Sequence, residues 1–180
     1  MIESRGLRSL KFPLFHPDVA GVSLRPLVDE DSAALQKFHQ GLSAESIHRR
    51  FFQAKPVLTD TEAHHFTHLD HFKRQALCAV SDATIIGVAR YDYVGAEEAE
   101  VAVIVTDAYQ RLGIGSWLLG ALRIDAVHNG ISTFTAEILA GNAAMLHTFE
   151  RLGVPIASAW EDGILRLRIG PLGEVEQCGR

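Results

Sequence analysis

YQRLGIGSWLLGAL, residues 109–122, sets two glycines one residue apart between an apolar run and a strongly apolar helical pattern. Glycine at a helix start costs backbone entropy, so the position asks for naked backbone. A helix N-terminus offers N–H groups without intrahelical partners and the positive end of a dipole, which suits a phosphate. A tight turn that merely packs the helix on a sheet is the competing reading. Two familiar phosphate loops do not fit. A P-loop ends in Gly-Lys-Ser/Thr, and here Gly115 is followed by Ser116 and Trp117. A dinucleotide fingerprint needs a third glycine where Leu118 stands, and it opens a parallel βαβ unit.

Upstream of this turn, VSLRPL (22–27) reads as a strand. Asp29 is placed to cap a helix through Gln40, stopped by Gly41, and Ser43 to cap a second, SAESIHRRFF. Thr59 and Glu62 stand at capping-box spacing at the head of TDTEAHHFTHL and mark a further helix start. QALCAVS (75–81) and TIIGVARYDYV (84–94) predict an antiparallel hairpin. After the loop GAEEAE, EVAVIVT (100–106) adds a third strand.

Downstream, IGSWLLGALRIDAVHNG predicts a helix of about four turns. FTAEIL (134–139) reads as a strand, and Asn142 opens the helix NAAMLHTFERLG, closed by Gly153. PIASAW and ILRLRIG pair across Asp162-Gly163, a strong hairpin signal. Written with two helices before the meander, the order is β-α-α-β-β-β-α-β-α-β-β. That is an α/β fold with a mixed, largely antiparallel central sheet flanked by helices. Residues 1–20 read as an arm ended by the turn signal HPDVAG, and 21–180 as one domain.

A length of 180 residues suits such a domain and can bury a real core. The net charge of −5, with no basic stripe, argues against nucleic acid as a partner and mildly favours cationic substrates. Cys78 and Cys178 stand far apart with no metal-ligand spacing. No export signal accompanies them, so a reducing cytoplasm is expected. MIESRGLRSLKFPLF lacks a continuous apolar stretch and nothing later approaches a membrane span, so no membrane partner is expected.

Against this background, Gln110-x-x-Gly113-x-Gly115 resembles the acyl-CoA-binding motif of the GNAT superfamily of N-acetyltransferases. The resemblance spans roughly residues 22–170, because a β meander precedes the motif and helix, strand, Asn142, helix and Leu152-Gly153 follow it. At finer grain, five ordered blocks resemble the catalytic domain of bacterial Pat-type protein lysine acetyltransferases. They are LRPLVDEDSAALQKF, LSAESIHRRFF, FTHLDHFKRQAL, AEVAVIVTDAYQRLGIG and AEILAGNAAMLHTFERLG.

The resemblance implies acetyl-CoA as co-substrate, no metal, and an amine acceptor, first of all a protein lysine. A small-molecule amine is the near rival, and a non-catalytic acyl-CoA-binding module the other class. Oligomeric state is not implied. The pyrophosphate would lie against the N–H groups of Arg111, Leu112, Gly113, Ile114, Gly115 and Ser116, with Gln110 orienting the loop and Arg111 adding charge. Val103, Ile104 and Val105 would pair with the amide arm of pantetheine, as an added strand does. An N–H near Val103 could stabilise the thioester oxyanion.

Glu100 corresponds to the subfamily's general base. Asn142 either caps its helix or bonds the coenzyme. Two positions depart from the superfamily: Phe149 stands where many members carry a tyrosine acid, and Val154 where a phenylalanine is usual. His64, His68 and His71 fall at helical spacing, but an amphipathic helix with exposed imidazoles explains them without a metal. Arg49-Arg50-Phe51-Phe52 either reaches a phosphate or the substrate, or forms a solvated face beside two core aromatics.

Overall fold

The computed structural model describes Pro17 and residues 19–173, so most of the arm expected over residues 1–20 lies outside the described residues, as does Cys178. Strand β1 (Val22–Pro26) is followed by a short 3-10 turn (Asp29–Asp31) and helices α1 (Ser32–Gln40), α2 (Ala44–Phe51) and α3 (Asp60–Thr67). The meander is β2 (Arg74–Ser81), β3 (Thr84–Gly95) and β4 (Glu98–Val105). Helix α4 (Ile114–His128), strand β5 (Thr133–Leu139) and helix α5 (Ala143–Glu150) come next. A hairpin of β6 (Ile156–Glu161) and β7 (Ile164–Ile169) ends the fold.

The α/β architecture is the expected one, with a difference in the order. Three helices, not two, precede the meander. The third is the segment headed by Thr59 and Glu62. Thr59 Oγ1 accepts from the Glu62 N–H at 3.3 Å and Glu62 Oε2 from the Thr59 N–H at 3.0 Å, a complete capping box. Its eight residues bury only Ala63 and Thr67, so the cap, and not an apolar stripe, betrays it. Asp29 does not cap α1. The 3-10 turn occupies residues 29–31, and Asp31 precedes the helix, accepting from the Val28 N–H at 3.0 Å and from Arg25. Ser43 does cap α2, accepting from the Ser46 N–H at 3.1 Å.

Turn chemistry sets the strand registers. Asp162 and Gly163 take φ of 50° and 80°, the left-handed pair of a type I′ hairpin. Ala96 and Glu97 do the same between β3 and β4 with φ of 50° and 60°, so β4 begins at Glu98, two residues earlier than expected.

Seven strands form one sheet in the order β1-β2-β3-β4-β5-β7-β6. One face carries α4 and α5, whose Leu118, Leu119, Leu122 and Phe149 pack with Val101, Val103 and Phe134. The other carries the first three helices, where Leu35, Phe38, Ile47 and Ala63 meet Cys78 and Val88. Strand alternation divides β4 between these two cores.

One seam differs from the rest. Every neighbouring pair is antiparallel except β4 and β5, which run parallel and pair only at Glu98–Thr133, Ala99–Phe134 and Glu100–Thr135. Beyond Glu100, β4 continues to Val105 held by β3, while β5 continues to Leu139 held by β7. Each half-sheet follows its own twist, and the two diverge as a V.

Candidate active site

The V encloses a cleft of about 390 Å³, floored by β4 and walled by the loop before α4, by α5 and by the end of α2. Every site residue expected from the sequence lines it except Leu112, which is 45% exposed and off the cleft wall.

Backbone direction along β4 follows from one bond. The Thr106 N–H donates to the Ile86 carbonyl at 2.9 Å, toward β3. Amide groups alternate sides along a strand, so Ile104 and Ala102 also face β3. The N–H and C=O groups of Val101, Val103 and Val105 therefore face the gap. The parallel Glu100–Thr135 bridge takes the Val101 N–H, and Val105 gives its carbonyl to Gln110 Nε2 at 3.1 Å, which leaves the Val101 carbonyl and both backbone groups of Val103 open. Ile104 lines the cleft, but its backbone pairs with Val88 on β3, unlike the pantetheine-pairing role expected for it.

The glycine loop earns its composition unevenly. Arg111 and Gly113 take φ of 62° and 86°, and Gly113 is the N-cap of α4 with no side-chain cap. These left-handed residues turn successive amides inward as a nest. The first intrahelical bond of α4 runs from the Trp117 N–H to the Gly113 carbonyl at 3.0 Å, so the N–H groups of Ile114, Gly115 and Ser116 lack helical acceptors. Gly115 is helical, and a methyl there would meet Thr148 Cγ2 at 3.4 Å, an ordinary contact. Its need for glycine is space in the cleft, not backbone strain.

Gln110 anchors the loop, donating also to Ser46 Oγ at 3.0 Å. Ser46 Oγ in turn donates to Asp107 at 2.9 Å, and Asp107 accepts from the Ser43 N–H at 3.0 Å and the Ser43 hydroxyl at 2.7 Å. Burial raises the Asp107 carboxyl, but these three bonds outweigh it and hold the group below the usual carboxylate range. The N-terminus of α2 is thereby clamped to the glycine loop. The sequence reading missed Ser46 and Asp107. The only signal was that the Ser43 cap puts Ser46 one turn into α2.

Glu100 is exposed at the vertex of the V, the last β4 residue paired with β5. It shares a face with Ala102 and Ile104, as alternation predicts, and that face borders the cleft. Asp92 lies directly across the ladder on β3. Arg50, on the last turn of α2, also lines the cleft, and its guanidinium is pushed down to about 10 by burial and by the like charge of Arg90. Tyr109, Met145 and Thr148 complete the wall. Asn142 is 7% exposed and caps α5, its Oδ1 accepting from the Met145 N–H at 3.3 Å while the residue lines the cleft. Phe149, only 1% exposed, adds an apolar wall where a tyrosine would add a hydroxyl.

His68 and His71 take different side-chain partners. His68 Nδ1 lies 3.0 Å from Asp29, His71 Nδ1 2.8 Å from Gln75, and His64 stacks on His68. Among the described residues no group of three or more His, Cys, Asp or Glu is placed to hold a metal, and no helix is long and apolar enough to cross a membrane.

A model of the acetyltransferase (GNAT) family matches residues 42–154, which include α2, the meander, the glycine loop, α4, β5 and α5. The chain belongs to this family. The acetyltransferase Pat of Mycolicibacterium smegmatis is 35% identical over 134 residues, 72% of this chain. The chain matches only 40% of that relative's length. The GNAT domain of S. lividans PAT superposes with a TM-score of 0.78 at 35% identity, covering 83% of this chain and 90% of that domain. A Salmonella typhimurium structure determined with its cofactor acetyl-CoA has a TM-score of 0.69 at 20% identity, covering 87% of this chain and 97% of the other, and so shares the fold. The GNAT and Pat-type resemblances read from sequence blocks are thus met by these matches.

Proposed function

We propose that this GNAT protein transfers the acetyl group of acetyl-CoA to an amine, a protein lysine first among acceptors, by direct attack on the thioester. The observation that carries the reading is the interrupted seam. A carboxylate stands at its vertex, free backbone amides line one arm, and a nest of N–H groups lies at its open end. Pantetheine amides would take up the open groups of Val101 and Val103, as a peptide joins a sheet edge. The pyrophosphate would meet the N–H groups from Arg111 to Ser116 and the positive end of α4. Asn142 would act through its cap, fixing α5 as a cleft wall.

A lysine amine has an intrinsic pKa near 10.4 and arrives mostly protonated. Glu100 would take that proton, directly or through water, and the freed nitrogen would attack the carbonyl carbon. The oxyanion would form against the Val103 N–H. The C–S bond then breaks, the thiolate leaves with its electron pair, and the second proton on the amide nitrogen passes to that thiolate or to water. A thiol pKa near 8.5 makes it a fair leaving group without a phenol, consistent with Phe149. A cytoplasmic setting belongs to the same proposal.

Replacing Glu100 by Gln tests it. Turnover with a lysine peptide should fall roughly 10²- to 10⁴-fold, while acetyl-CoA affinity measured by calorimetry stays unchanged. Unaltered turnover would move the base elsewhere. An absence of acetyl-CoA binding at millimolar concentration would end the reading.

A further inference from the structure

Five charged side chains gather where the cleft meets the helices that connect β1 to β2. On the sheet, Asp92 accepts from Arg90 Nε and Nη2, each at 2.9 Å, and from Arg74 Nε at 3.0 Å. Both Asp92 oxygens are therefore occupied. Glu100 stands opposite Asp92 in the ladder, so two carboxylates face the same side as cross-strand neighbours. Arg50 approaches from α2. It has no hydrogen-bonded acceptor and no ion pair among the described residues; its Cζ lies 5.1 Å from the centre of the Phe51 ring, and the charges of Arg90, Glu100 and Asp92 act on it from nearby. Of these five, Arg50 and Glu100 line the cleft, and the group as a whole has three guanidinium groups against two carboxylates.

Arg50 is also the gatepost between two spaces. With Ala102 and Ile104 it lines both the main cleft and a smaller apolar chamber of about 50 Å³, walled by side chains such as Phe38, Leu58 and Phe66. Its position along the cleft separates it from the phosphate end. Ser43 and Ser46 tie the start of α2 to Asp107 and Gln110, beside the glycine loop. Arg50 is one turn past Ser46, within electrostatic reach of Glu100, which lies five strand residues, about 17 Å, from Val105. A planar fork of donors, half-buried and without an acceptor, suits a carboxylate bound through two parallel bonds.

We infer that Arg50 anchors a carboxylate carried by the acceptor, so that the site reads an amine at Glu100 and an anion beside it. The proposal rests on the acetyltransferase reading. The carboxylate has two sources: an Asp or Glu next to a target lysine, or the α-carboxylate of an amino-acid acceptor.

The test compares matched acceptors that differ only in that charge. One arm uses lysine peptides flanked by Glu or by Gln, the other free lysine and lysine amide. Each is assayed for acetyl transfer and, separately, for calorimetric binding to the protein loaded with coenzyme A. Wild type should favour the carboxylate member of one arm by roughly 10- to 100-fold in kcat/KM, expressed in KM. Arg50→Gln should erase the preference while leaving acetyl-CoA affinity unchanged, and Arg50→Lys should keep only part of it. The arm that responds identifies the source.

Equal use of both members by wild type overturns the inference and leaves the acetyltransferase reading standing. So does an Arg50→Gln variant whose kcat falls equally with every acceptor, since Arg50 would then act on Glu100. If no amine is acetylated but binding still discriminates through Arg50, the anchor survives and the catalytic reading falls. Absence of discrimination in binding as well refutes both.

Discussion

The two glycines of the loop make separable predictions, because only one of them is held by its backbone. Gly113 has φ of 86° as the N-cap of α4. An alanine there must hold a left-handed conformation at a cost of about 1–2 kcal/mol. For a domain of this size that lowers Tm by roughly 2–8 °C. Gly115 is helical, and its added methyl would meet Thr148 Cγ2 at 3.4 Å, Val105 Cγ2 at 3.8 Å and Val103 Cγ2 at 3.9 Å. Alanine is the better helix former by about 1 kcal/mol, so Gly115→Ala should leave the ligand-free Tm unchanged or raise it by roughly 2–4 °C.

Those three side-chain neighbours all belong to cleft-wall residues, so the same methyl narrows the space a ligand must occupy. Its acetyl-CoA dissociation constant should rise about tenfold or more, a loss near 1.4 kcal/mol. Scanning calorimetry of the free proteins and isothermal titration with acetyl-CoA separate the two effects. If Gly115→Ala destabilises as much as Gly113→Ala, the conformational argument is wrong. If it binds acetyl-CoA as wild type does, the ligand does not approach this backbone.

Gln110→Leu removes the bonds to Ser46 and to the Val105 carbonyl, uncoupling α2 from the loop. The acetyl-CoA KM should rise severalfold with a Tm change under about 2 °C; a KM equal to wild type would show the tether is idle. Asp107 predicts a pH dependence. Its folded-state value is lowered, so its contribution is complete above the ordinary value of 3.8 and is lost as pH falls through the lower folded value. The Tm gap between wild type and Asp107→Asn should be flat from pH 7 to about 5 and close in acid; a gap that closed on raising pH would contradict the hydrogen bonds described.

Local chemistry was the legible part of this sequence. The Ser43 cap, the Thr59–Glu62 box and the Asp162-Gly163 turn each depend on residues within four positions of one another, and each is formed. The turn at Ala96-Glu97 was not legible, because ordinary residues there hold a conformation that favours glycine or asparagine. The face of Glu100 followed from two-residue alternation. The gap beside it did not, since it depends on where a parallel ladder between strands about 35 residues apart gives out. The Asp107–Ser46–Gln110 clamp and the position of Arg50 likewise join segments more than 40 residues apart, beyond the range of any spacing rule.

The interrupted seam also decides where the molecule is forgiving. Three residue pairs fix the vertex, so Glu100 keeps its relation to both half-sheets whatever the arms do. Five residues out, about 17 Å away, a relative rotation of a few degrees displaces one arm by roughly 1 Å. Small misfits in the long arm of a ligand are then absorbed at the wide end, by the phosphates and the glycine loop. The reacting atoms are placed by the narrow end, where the same rotation moves almost nothing.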